Sequence, residues 1–531
     1  MADWNDHENL TWAPEDLISK TSFKDLLFSD EARLIGLKGI LLSLIMLALG
    51  GVMALTFRTE LAQPGIQFFE AKTYISALTL HGMIMVFGFA IPMTISIMYY
   101  MLPKALGVEK LESPWAAHLS FWTILAAGVL LIIGRPDFTW TFYVPLSLRV
   151  AGSTVWMGYI AIVLVGVSEV LAGITLLNTA RAWKRKTGGR WIDMPLIGWG
   201  ALTEAGFLII SAPVLSLVGA IMLTDYLKIT AIYDPARGGD ALTFLWMFWF
   251  YGHPAVYLPL VPIIGVLYAL LPRLLGRPLW SQKSGVVAFT LLFVLGFGVW
   301  HHHFQPNVTI HGWIQATFEF MTMMVIIPSS LHVFNWIATL WSGPISAETK
   351  NWIPFKFTIG AIFMIILGGV SGFINGQISI NTDFIHNTYW IPAHFHTIFL
   401  GFIAQMSMAA IYFLFPYFTG RMFHPGLANL HFWLWQLGIF AQVMLMFALG
   451  LAYFPRWVVD YLPLPEWVVP QFGLTVAGFV VGLGFLVFIV NMLISARRGE
   501  VVTEDPWPVP DRLGDGVPGT DAAAEAAAPA E

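Results

Sequence analysis

Twelve apolar runs, each about as long as the roughly 20 residues a helix needs to cross a bilayer, leave this chain one kind of solvent. They begin near Ile35, Tyr74, Ala116, Thr154, Leu196, Leu242, Gly285, Trp313, Phe355, Tyr389, Leu430 and Gln471. Charge confirms the reading. Only 11% of the 531 residues are charged, where a soluble protein would carry roughly a quarter. The fold class is therefore all-α integral membrane, with twelve transmembrane helices. A net charge of -5 offers nothing to nucleic acid.

The polar, acidic start MADWNDHENLTWAPEDLISK reads as no cleavable leader. An even number of spans puts both termini on one side. Most Lys and Arg, including the cluster Arg181, Lys184, Arg185, Lys186 and Arg190, fall on that same side, which the positive-inside rule makes the cytoplasm. The expected organisation is a cytoplasmic segment over 1–33, a twelve-helix domain over 34–498 and a polar, disordered tail over 499–531, where the sequence becomes Asp-, Pro- and Ala-rich. No transporter-type internal repeat is visible. With no cysteine, any metal must be held by His, carboxylate or Met.

The histidines carry the functional signal. With the N-terminus inside, His81, His253, His301, His302, His394 and His396 all fall in the outer half of the bilayer. Ionisable groups there are costly and mark function. His394 and His396, at i and i+2 on a helix, point about 200° apart. They cannot share one metal, but could each serve one of two groups on opposite faces. His81 offers a second axial ligand to one of these. His301 and His302, with His253 across the bundle, make a three-imidazole set suited to copper. A lone intramembrane His is more often a packing or relay residue; the convergence of three separate elements argues otherwise.

These residues resemble the heme–copper oxidase subunit I superfamily. The resemblance runs across nearly all the hydrophobic region and is carried by LTLHGMIMVFGF around His81, FWFYGHPAVY at 248–257, WHHHF at 300–304 and HNTYWIPAHFH at 386–396. YDPARGGD, VFNWIATLWSG and PRWVVDY support it. It implies that His81 and His396 ligate a low-spin heme, that His394 is the proximal ligand of a high-spin heme, and that His253, His301 and His302 bind copper. In the family pattern the His pair is followed by one variable residue and Phe, which makes His303 a non-ligand. Tyr257, one turn after His253, matches a tyrosine that family oxidases link covalently to that histidine. His386, Asn387 and Arg456 match positions near heme propionates and a divalent-ion (Mg or Ca) site, although Asn387 and Trp457 depart from the usual residues there.

Other departures bear on the substrate. Ala255 stands where many oxidases have Glu, Lys110 where they have an uptake-path Asp, and His332 where they have a Lys. Of two tyrosines used by another branch, Tyr268 remains and Ile264 replaces the other. His332 could still relay protons. GWIQATFEFMT places Gln315 and Glu319 on one helical face with Thr322 beyond. A carboxyl group in lipid must be protonated or partnered, and a protonated one is a local proton donor. The missing routes and this pair point to reduction of NO to N2O, as in the superfamily's nitric oxide reductase branch. Reduction of O2 to water, as in a cytochrome c oxidase, is the alternative, favoured by Tyr257. A histidine-relay transporter with the same helices would be colourless. Because there is no cysteine for a dinuclear copper site, the resemblance implies a second subunit with that site or a heme c, fed by cytochrome c or a quinol. The compartment it implies is a bacterial inner membrane.

Overall fold

The computed structural model describes residues 10, 12–150, 152, 154–304 and 312–507. Among these, eleven helices are long and apolar enough to cross a membrane, and a shorter apolar helix, Gln282–Gly296, takes the place of the seventh predicted span. In chain order they are α1 (Ala32–Glu60), α2 (Ala71–Ala105), α3 (Pro114–Gly134), α4 (Trp156–Thr187), α5 (Leu196–Tyr226), α6 (Ala241–Leu275) and α7 (Gln282–Gly296). There follow α8 (Gly312–Trp341), α9 (Ile353–Asn375), α10 (Trp390–Thr419), α11 (Pro425–Leu451) and α12 (Pro465–Arg498).

Sequential helices joined by short connections pack as neighbours, as in α3 with α4, α4 with α5, and α11 with α12. Three helices stand at the centre. The apolar windows of α2, α6 and α10 are 72%, 83% and 89% buried, against 28% for α8 and α12. These three carry His81, His253, and His394 with His396. The outward faces of the peripheral helices keep large apolar side chains such as Leu41, Ile45, Phe472 and Leu483 exposed, as a lipid-facing surface requires.

Local irregularities aim the central histidines. Asp240 caps α6, its carboxylate accepting from the backbone N–H groups of Leu242 and Thr243. The helix is then interrupted at His253, because Pro254 has no N–H to continue the ladder. In α2 the turn after His81 widens into a π-helical stretch, Ile84–Ala90, and in α10 the same happens after His396, over Phe399–Ala404. Such π turns commonly re-aim side chains at functional sites. α7 stops at Gly296, and a 3-10 turn over Trp300–His303 follows.

The first residues of the polar tail expected from residue 499 make contacts with the bundle. Val501 bridges Arg421, Asp505 pairs with the buried Arg273 and accepts from the Tyr417 hydroxyl, and Trp507 is 1% exposed with its indole N–H on Phe413 O. Residues 499–507 therefore pack under the bundle. The remainder of the expected tail, 508–531, lies outside the described residues, as do the first nine residues.

Candidate functional site

A cavity of about 1420 Å³ runs through the centre of the bundle and is walled by α1, α2, α6, α8, α9 and α10. Ordinary small-molecule pockets hold roughly 300–1,000 Å³, so this one has room for more than one sizeable group. His81, His253, His302, His303, His394 and His396 all line it.

His81 and His396 face each other across part of it, with ring centroids 6.3 Å apart and planes within 6° of parallel. Each is held from behind. His81 Nδ1 lies 2.9 Å from Gly50 O, and His396 Nδ1 lies 2.7 Å from Pro392 O. A carbonyl can only accept, so both Nδ1 atoms carry the proton and both Nε2 atoms present a lone pair. Two metal–nitrogen bonds of about 2.0–2.1 Å leave about 1.1 Å on each side, the distance from ring nitrogen to ring centre. One metal ion fits between the rings.

His394 follows the same rule through a hydroxyl. Ser371 Oγ donates its single hydrogen to Gly368 O at 2.9 Å, so it accepts from His394 Nδ1, also at 2.9 Å. The Nε2 lone pair is again left free. Behind it α9 must come close: a Cβ at Gly372 would sit 3.0 Å from His394 Cε1.

The third cluster joins α6 to the 3-10 turn. His253, His302 and His303 bring ring nitrogens within 4.8 Å of one another, with His253 Nδ1 2.9 Å from His303 Nε2. His302 Nδ1 lies 3.0 Å from Thr322 Oγ1, whose hydrogen goes to Phe318 O, so His302 too offers Nε2. His303 stacks flat on Trp249, centroids 3.9 Å apart and planes 3° apart. Trp249 in turn donates to the Tyr143 hydroxyl. The His253 Nε2 atom is buried without a hydrogen-bond partner. Three converging imidazoles form a donor set for copper, once a bound metal displaces the proton shared between His253 Nδ1 and His303 Nε2.

This cluster differs from the sequence expectation by one member. His301, expected as a ligand, is 1% exposed and packs among Trp246, Phe304 and Phe318. His303, expected to be a bystander, stands in the cluster. Successive residues of a 3-10 turn point about 120° apart, so a run of three histidines cannot send all its rings to one point. In this structure the turn brings the rings of His302 and His303, and not that of His301, to His253.

Tyr257 lies beside His253, ring centroids 4.8 Å apart and planes 74° apart, and lines the cavity. Arg456 and His386 line it as well. Arg456 Nε is buried without a partner, and burial among neutral groups pushes its guanidinium below the ordinary range. His386 Nδ1 contacts Asn381 Oδ1 at 2.7 Å. Among the described residues no second group of three His, Cys, Asp or Glu side chains gathers at His386.

Glu319 and Gln315 do not line the cavity. Glu319 Oε1 accepts from the backbone N–H of Ile378 at 3.1 Å, anchoring the segment that follows α9. Of the face expected to be acidic, only Thr322 reaches the metal cluster. Arg58, unmarked in the sequence reading, also borders the cavity, bonded to Gln471 and the Tyr389 hydroxyl. Its signal was available as a charge near the end of an apolar run.

Comparison with known proteins agrees with this arrangement. Residues 34–498 match the family model described as Cytochrome C and Quinol oxidase polypeptide I. The chain belongs to that family. It is 32% identical over 486 residues to cytochrome c oxidase subunit 1 of Thermostichus vulcanus, covering 90% of this chain and 86% of that one. It is 33% identical over 472 residues to the probable cytochrome c oxidase subunit 1-beta of Nocardia farcinica, covering 86% and 78%. It is likewise 33% identical over 472 residues to cytochrome c oxidase polypeptide 1 of Halobacterium salinarum, covering 87% and 78%. A solved heme-copper terminal oxidase dimer superposes with a TM-score of 0.77 at 21% identity, over 90% of this chain and 86% of its own, which shows the shared fold. The protein is thus a multi-pass heme–copper oxidase subunit I. The relatives' names are those of cytochrome c oxidases.

Proposed function

We propose that this chain is the catalytic subunit of a terminal oxidase reducing O2 with four electrons and four protons to two waters. The observation that carries the reading is Tyr257 beside His253 on the cavity wall, together with the lack of any Asp or Glu among the described lining residues. Reduction of NO to N2O drew its support from Glu319 as a proton donor at the site. That carboxyl group is engaged with the Ile378 amide instead.

On this reading His81 and His396 hold the low-spin heme, His394 the high-spin heme, and His253, His302 and His303 the copper. Those groups would supply one-electron carriers and open coordination positions for a diatomic. The chain's own residues do the rest. The Nδ1 protons on Gly50, Pro392, Ser371 and Thr322 fix ring orientation and raise the basicity of each Nε2. Trp249 holds His303 by stacking. Arg456 and His386 offer a cation and an imidazole where heme carboxylates would end. Tyr257 gives up its hydroxyl proton beside the copper ligands. Below it the Tyr268 hydroxyl lies 2.9 Å from His332 Nδ1, and Asn335 reaches Tyr268 at 3.4 Å, a short line toward the α7–α8 side.

Electrons would reach the low-spin heme from a partner subunit, through a dinuclear copper or heme c site and from cytochrome c or a quinol. The distribution of Lys and Arg supports cytoplasmic termini, and the family resemblance supports a bacterial inner membrane. The test is Tyr257→Phe in the purified complex. O2 consumption should fall roughly 10²-fold or more with both heme spectra intact; undiminished O2 turnover would remove Tyr257 from the mechanism.

A further inference from the structure

The outward side of α4 carries one unbroken stripe. Ile160, Val163, Val167, Val170, Ile174 and Leu177 recur at spacings of three and four residues, the period of a single helical face. All are partly exposed, and Val167, at 38%, is the most open. Beyond Leu177 the stripe changes chemistry without leaving the face. Arg181 stands four residues on, and Lys184 and Arg185 follow it by three and four.

Helix length places that change. The 32 residues of α4 measure about 48 Å, against a hydrocarbon core of roughly 30 Å that about 20 residues fill. A core that begins at Ile160 therefore ends near Thr179. Arg181, Lys184 and Arg185 come next, at the level of lipid phosphates. Aromatic rings mark the same boundary: Trp115 at the start of α3 is 59% exposed, and Trp191, between α4 and α5, is 36% exposed.

These cations are not equally engaged. Arg185 reaches Glu112 Oε1 at 3.1 Å, and Lys184 bonds to Gly189 O and lies 6.0 Å from the centre of the Trp191 ring. Lys186 turns to Gly107 O, and Arg190 pairs with Asp193. Arg181 is exposed and has neither an ion pair nor a hydrogen bond among the described residues. A topology signal needs only Lys and Arg on one side of the membrane, pointing anywhere, and a solvated helix tip asks no more. Neither requires the cations to continue a bilayer-facing apolar stripe, with the one at the junction unpaired. That arrangement is the complement of an amphiphile with an anionic head. A guanidinium binds phosphate through two parallel N–H bonds.

We propose that α4 holds an anionic phospholipid at the membrane face that carries its basic cluster. The phosphate sits on Arg181 with Lys184 and Arg185 beside it, and the acyl chains lie along Leu177, Ile174, Val170 and Val167. One leaflet is about 15 Å deep, or about ten helical residues, which is the run from Leu177 back to Val167. The bound lipid ties the tip of the α4–α5 hairpin to the bilayer surface. The inference needs only the membrane-spanning fold and is independent of whether O2 or NO is reduced.

The test places the purified complex in phosphatidylcholine vesicles with a trace of phosphatidylglycerol bearing a photoreactive diazirine on its acyl chain. After irradiation the labelled peptides are mapped by mass spectrometry, and phosphatidylcholine with the same diazirine is the matched probe. The phosphatidylglycerol probe should label the Val167–Leu177 stretch severalfold more than its matched probe. Arg181→Gln should lower that excess about fivefold with unchanged heme spectra, while Lys110→Gln, exposed on the α2–α3 connection, should leave it as in wild type. In the wild type the excess should also shrink as salt is raised, a readout that needs no variant. Equal labelling by the two probes, a salt-insensitive excess, or an equal loss in Lys110→Gln would overturn the site. Absence of label from either probe would overturn it in favour of a protein partner covering this face. Loss of the excess to inorganic phosphate at matched ionic strength would assign Arg181 to a free anion and overturn the lipid.

Discussion

Replacing His303 by Ala separates the two ways of choosing copper ligands from the run His301-His302-His303. In the structure His303 Nε2 stands 2.9 Å from His253 Nδ1 and its ring lies flat on Trp249, so the change removes one of three donors and the stack that positions it. Loss of an outer partner of a metal ligand typically costs about 10–100-fold in affinity. Loss of the ligand itself should cost at least about 100-fold, or about 2.8 kcal/mol at 1.4 kcal/mol per decade. His301→Phe is the matched control, since it keeps an aromatic ring among Trp246, Phe304 and Phe318. Copper and iron in the purified complex, measured by plasma mass spectrometry, give copper per heme directly. His303→Ala should be largely copper-free and His301→Phe fully loaded. A copper-free His301→Phe beside a loaded His303→Ala would refute the geometric choice.

Three further outcomes follow from local geometry. Gly372→Ala places a Cβ 3.0 Å from His394 Cε1, whereas Gly369 has open space; overpacking of about 1–3 kcal/mol should weaken carbon monoxide binding to the reduced high-spin heme in the first variant and not in Gly369→Ala, and equal spectra would count against the placement of His394. Glu319→Gln keeps an acceptor for the Ile378 amide, so turnover should stay within about threefold of wild type; a collapse would return this carboxyl group to the mechanism. Trp507→Ala removes a buried indole and should lower stability by about 3–5 kcal/mol, read as earlier heme loss on heating in detergent, and an unshifted melting profile would show that residues 499–507 hold nothing.

The spans were legible because a bilayer imposes length and composition together, and eleven of twelve emerged at full length. Gln282–Gly296 came out short, since Gly296 and the 3-10 turn at Trp300 end it early. His81, His394 and His396 were readable from depth and from i,i+2 spacing, which fixes opposed directions on any helix. The imidazole cluster in the structure shares His253 and His302 with the expected set and differs in the third member. Three adjacent histidines differ by the phase of a tight turn, and no spacing rule gives that phase. The partner of Glu319, the Ile378 amide, arrives from a connection whose path sequence does not reveal.

The most direct test of the account is substrate consumption by the purified, heme- and copper-loaded complex with one electron donor, comparing O2 uptake with anaerobic NO reduction. Rapid O2 uptake with four donor electrons consumed per O2, and little N2O, is what Tyr257 at the cluster and the lack of Asp or Glu among the described lining residues predict. Rapid N2O formation with feeble O2 uptake would contradict it and restore NO as the substrate.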